Sequence, residues 1–125
     1  MIYLDTHVVG AFNRAERRYL SRQALAAIDR DHDRRISPIV VLELEYLREI
    51  DRVTVPAMKI VKDLAELIGL RICDAAFSDV AIQAANESWT RDPFDRIIVA
   101  QARLAKATLI TRDEIIQKHY ARALA

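Results

Sequence analysis

Cysteine, glycine and aromatic side chains are all scarce in this sequence. A single Cys among 125 residues excludes a disulfide framework and a thiolate zinc site, and Cys73, inside the apolar run LRIC, reads as a buried structural thiol. Two Gly beside 52% apolar residues argue against disorder and low complexity and for a tightly packed, helix-rich globule. No apolar run approaches the roughly 18 residues that cross a bilayer, and no basic leader opens the chain, so a soluble, cytoplasmic protein is expected. Excess charge of one sign is also missing. At a net charge of +1 no global field draws in nucleic acid, and any such binding must be local. The basic clusters Arg14, Arg17, Arg18 and Arg30, Arg34, Arg35 are interleaved with acids; they read first as solvated helix faces and second as phosphate contacts.

The length suits one domain over residues 1–125. Ile2 to Leu4 is a short apolar run, as in a strand buried on both faces. Leu20, Ala24, Ala27 and Ile28 space a helix, Arg30 to Arg35 read as a polar turn, and Ile36 as a very short strand. Ser37 and Pro38 start a helix to about Ile50, and Pro56 opens another that Gly69 stops. Residues 70–73 read as a third strand. Ser78 caps a helix to about Glu87, Asp92 and Pro93 start one to about Lys106, and Thr108 to Ile110 is a fourth strand. Short apolar strands separated by helices need crossovers. The expected fold is therefore a mainly parallel sheet in an α/β/α sandwich, with ligands beyond the carboxyl ends of its strands.

Four acids fall where that edge would be. Asp5 ends MIYLD and Asp113 follows TLITR, so both leave strands toward the same end. Glu43 falls within an apolar arc of Ile39, Leu42, Tyr46, Leu47 and Ile50, whereas Glu45 faces away and needs only water. A carboxylate on a core-facing stripe requires a partner, a proton or a cation. Asp95 sits third in a helix capped by Asp92, where the helix dipole favours an anion; DPFD is equally a capping arrangement. Converging to about 5 Å, each like-charged pair would repel by roughly 3 kcal/mol at an effective dielectric of 20. Such a cluster needs protons or a divalent ion, and hard oxygen donors without Cys or suitably spaced His select Mg²⁺ or Mn²⁺. His7, His32 and His119 are scattered, with only His7 near Asp5.

LDTH, the Ser and Glu of SPIVVLE, DPFDRIIVAQA and TLITRD together resemble the PIN domain, specifically its VapC-like toxins, over essentially the whole chain. The resemblance implies a Mg²⁺- or Mn²⁺-dependent endoribonuclease with Asp5, Glu43, Asp95 and Asp113 as catalytic and metal-binding acids. It makes Thr6, Thr111 and Arg96 supporting residues. It further implies a VapB-like antitoxin, an RNA substrate cut to leave a 5′-phosphate and a 3′-hydroxyl, and a homodimer. Thr90 stands where many relatives carry His, and the tail after Asp113 is short and Ala-rich, so no last strand is assigned. The competing reading is a non-catalytic PIN-like subunit that acts with an antitoxin in transcriptional regulation.

Overall fold

The computed structural model describes residues 1–125. Strands β1 (Ile2–Leu4), β2 (Arg34–Ile36), β3 (Arg71–Ile72), β4 (Thr108–Ile110) and β5 (Ala123–Leu124) form one sheet in the order β3-β2-β1-β4-β5. Every pairing in it is parallel. The connections carry helices α1 (Thr6–Asn13), α2 (Arg22–Arg30), α3 (Pro38–Glu49), α4 (Ala57–Ile68), α5 (Phe77–Ala85), α6 (Pro93–Ala105) and α7 (Glu114–His119). From β1 the chain steps outward through β2 to β3, then crosses back to β4 and on to β5. Right-handed crossovers put the helices of the two runs on opposite faces of the sheet. The direction reverses between β1 and β4, which is where an open parallel sheet leaves a crevice. Leu4 pairs with Ile110, so the chain leaves both strands side by side.

All three β1 residues are buried, as a strand covered on both faces requires. Its neighbours in a core of 26 residues include Ile36, Leu109 and Ile110. Cys73 is buried too, and the Tyr3 hydroxyl donates to its Sγ at 2.9 Å. Gly69 ends α4 at φ +68°, the left-handed conformation expected of that cap.

Several elements differ from the sequence reading. α1 has no counterpart in the sequence pattern, because THVVGAFN is buried almost all round and shows no amphipathic period. α5 begins at Phe77 after Ala76, so Ser78 lies inside the helix and caps nothing. The polar turn is shorter than expected, since β2 already includes Arg34 and Arg35. A fifth strand exists in the Ala-rich tail. Leu109 N–H donates to Arg122 O and Thr111 N–H to Leu124 O, backbone bonds that need no side-chain signal.

The apolar arc of α3 is the largest correction. Val40 and Leu44 face the core, while Leu42, Tyr46 and Ile50 are exposed, and Tyr46 stacks on Phe94 of α6 with ring centres 6.0 Å apart. Glu43 therefore lies at the border of the buried face and not in its middle. Glu45 does more than meet water: its Oε1 accepts from Ala57 N–H at 2.7 Å. Pro56, which precedes α4, has no side-chain acceptor, so Glu45 serves as the cap.

Candidate active site

Asp5 is the first residue past β1 and is buried. As the N-cap of α1 it accepts from Thr6 N–H at 2.7 Å through Oδ1, and from the Thr111 hydroxyl at 2.6 Å through Oδ2. The Thr6 hydroxyl in turn donates to Glu43 Oε1. Asp113 caps α7, its Oδ1 accepting from Ile115 and Ile116 N–H at 2.8 and 3.1 Å, and its own N–H donates to Thr111 Oγ1 at 3.1 Å. One hydrogen-bonded chain thus links Asp113, Thr111, Asp5, Thr6 and Glu43, from the ends of β4 and β1 to the middle of α3. Asp95 lies in the first turn of α6, whose cap Asp92 accepts from Phe94 and Asp95 N–H.

The four carboxylates have no cation in contact, although the neighbouring His7 offsets a small part of the rise of Asp5 and Glu43. None of the four forms an ion pair with Lys or Arg within 4 Å. Burial raises the Asp5 carboxyl above its ordinary range against the bonds from Thr111 and Thr6. Burial raises Glu43 as well, with the charge of Asp5 adding to it. Asp95 is pushed up to about 7, by burial first and then by Asp92, Asp5, Asp113 and Glu43. All four acids therefore act on one region of space. They are not drawn together as a ready ligand shell, since no three Asp, Glu, His or Cys side chains stand close enough to hold an ion between them.

The donor set nevertheless fits a hard cation. Asp95 accepts no hydrogen bond through its carboxylate, and Glu43 Oε2 and Asp113 Oδ2 are equally free. These free oxygens belong to half-buried, mutually repelling carboxylates, and a divalent ion would offset both their partial desolvation and their repulsion.

Among the remaining expectations, Arg96 makes no ion pair; its Nε donates to Thr90 O at 2.8 Å and fastens the loop ahead of α6. Asp92 caps as expected, yet its charge is also the strongest acting on Asp95, a role that the Asp-x-x-Asp spacing could have revealed. Much of the basic clusters is structural. Arg34 donates to Ile28 O and Ile68 O, and Arg35 grips Asp33. Sequence reading passed over Glu87, which is 3% exposed and bonded by Arg103 Nε and Nη2.

The four acids occur on the same elements and in the same order as the motifs read from the sequence, and a family model described as the PIN domain matches residues 2–122. The chain belongs to the PIN domain family. Solved structures agree on the fold of this PIN domain. A toxin–antitoxin complex from Klebsiella pneumoniae superposes with a TM-score of 0.65 at 18% identity, covering 100% of this chain and 97% of the other. VapBC2 from Rickettsia felis, bound to a DNA fragment from its promoter, does so with a TM-score of 0.66 at 19% identity, covering 100% and 98%. No curated protein matches the sequence significantly. No helix is long and apolar enough to cross a membrane.

Proposed function

We propose that this PIN domain is a Mg²⁺- or Mn²⁺-dependent endoribonuclease of the VapC-like toxin type, neutralised by a VapB-like antitoxin and acting as a homodimer. One observation carries the catalytic part: four carboxylates without a Lys or Arg partner act on one region beside β1 and β4, where burial first, then Asp92 and the other three acids, push Asp95 up to about 7. The solved relatives of the same fold include toxin–antitoxin complexes, which supports the partner.

Asp5, Glu43, Asp95 and Asp113 would hold the ion. When bound, a divalent ion supplies a water of lowered pKa and charge stabilisation for the leaving oxygen. The chain's own residues contribute fixed geometry. Thr6 N–H and the Thr111 hydroxyl hold the two oxygens of Asp5, while the Thr6 hydroxyl holds one oxygen of Glu43 and leaves the other free. One carboxylate orients or deprotonates the attacking water. Water adds to phosphorus, the 3′ oxygen leaves and takes up a proton, and the ends are a 5′-phosphate and a 3′-hydroxyl. No covalent intermediate forms.

The test is to map RNA ends after brief expression of wild type beside Asp5→Asn in cells lacking the antitoxin. New 5′-phosphate ends at discrete sites are expected with the wild type alone. Equal toxicity of the two, with antitoxin binding intact, would favour the non-catalytic regulatory subunit instead.

A further inference from the structure

Beside the acid cluster, and sharing Thr6 with it, a cleft of about 370 Å³ opens between α1 and the turn after α3. That volume lies in the range of small-ligand clefts, about 300–1,000 Å³. Leu44, Leu47 and Val53 give it apolar surface, and His7, Arg14 and Arg52 give it donors. No carboxylate lines it, although the neighbouring crevice is built of them.

The two cations reach the cleft differently, Arg52 from a turn closed by main-chain bonds and Arg14 from the end of α1 with its guanidinium held by Glu16. α3 ends through Asp51 at φ 61°, and Arg52 N–H donates to Leu47 O at 2.8 Å, so the turn carrying Arg52 is closed by main-chain bonds. Arg52 itself forms no ion pair. Arg14 grips Glu16 through Nε and Nη2, at 3.1 and 3.3 Å, which leaves Nη1 over Gly10. A Cβ on Gly10 would stand 3.2 Å from that nitrogen. Glycine inside a helix costs about 1 kcal/mol relative to Ala. Of the two glycines in the chain, Gly69 is a cap and Gly10 lies under the Arg14 guanidinium, whose flexible end would shift by a few tenths of an ångström for a Cβ.

We infer that this cleft is a nucleotide subsite, seating the residue of single-stranded RNA next to the scissile phosphate. The base lies on the apolar floor beside His7, and its phosphate meets Arg14 and Arg52. An unstacked base and an adjacent phosphate use both halves of the cleft, whereas an acidic peptide would use only its cations. The inference rests on the endoribonuclease reading and states how that site holds its substrate.

The experiment is steady-state cleavage of a short single-stranded oligoribonucleotide, with Mg²⁺ or Mn²⁺, over a series of salt concentrations. Arg52→Ala and Arg14→Ala are compared with Arg71→Ala, an exposed cation on the far edge of the sheet. Each cleft variant should raise KM about tenfold and reduce the slope of log KM against log salt by about 0.7, the share of one phosphate on a single strand. Arg71→Ala should change neither. If the wild type cleaves and the cleft variants match Arg71→Ala, the subsite is wrong and the nuclease reading stands. Variants that lose antitoxin binding but keep KM would assign the cleft to a protein segment and also overturn the subsite. A wild type that cleaves no RNA would remove the nuclease reading and the subsite with it.

Discussion

At the scale of single residues, the chemistry of the crevice is set by where uncompensated charge is buried. Asp95 keeps its proton up to about pH 7 in the folded chain but releases it near the ordinary value of 3.8 when unfolded. The folded state then binds the extra proton between those values, so its stability is highest below about 4 and falls as pH rises to about 7. Asp5 and Glu43 are raised too and add to the same trend. In metal-free buffer the melting temperature should fall across that window, and Asp95→Asn should flatten the decline. Asp92→Asn, which keeps an acceptor for the cap, should flatten it in part. An unaltered pH profile in Asp95→Asn would show that the Asp95 carboxyl is not raised in the folded chain, whereas an unaltered profile in Asp92→Asn alone would leave burial as the cause. Thr111→Val isolates a different contact, because it leaves one oxygen of a buried Asp5 without its donor. A loss of about 1–3 kcal/mol in denaturant unfolding is expected.

Elements in this fold are tied down by side chains from their neighbours. Glu87, past the end of α5, is bonded by Arg103 of α6, Gln83 of α5 and the Trp89 indole, while Arg103 also reaches His119 O at the end of α7. Breaking a buried pair removes more than a surface bridge does, but the Arg103 side chain is 38% exposed and can recover water. Glu87→Ala should therefore cost about 2 kcal/mol by chemical denaturation, below the roughly 3–5 kcal/mol of a fully buried pair. A cost below about 0.5 kcal/mol would place the Glu87–Arg103 pair with ordinary surface bridges. The helices capped within their own segment were legible: Ser37 with Pro38, Asp92 with Pro93, and Gly69 each mark a boundary. α4 was located by its Pro, yet its capping acceptor, Glu45, comes from 12 residues upstream. α1 was not legible, because a segment buried on all sides has no polar face to give it a period.

For the molecule as a whole, the acids come from segments far apart in the chain that the strand order brings together, β1 beside β4 and α3 packed on α6. A divalent ion that bridges those elements should stabilise the entire fold by mass action. Mg²⁺ or Mn²⁺ should raise the melting temperature of the wild type more than that of Glu43→Gln, as scanning calorimetry would show. An equal rise in both would remove Glu43 from the set of ligands.

The places of the first four strands, most helix boundaries and the order of the four acids were determined by the sequence alone, because they depend on local burial patterns, caps and turn chemistry. So was the preference for hard cations, which follows from the side chains available. The tertiary structure decided what depends on distant partners. It buried Val40 and Leu44 in place of the Leu42, Tyr46 and Ile50 face, made Glu45 a cap, added β5 through main-chain bonds, and brought Asp92 into the field of Asp95. Periodicity states that a helix has an inner side, but only packing against a particular neighbour decides which of its apolar residues occupy it.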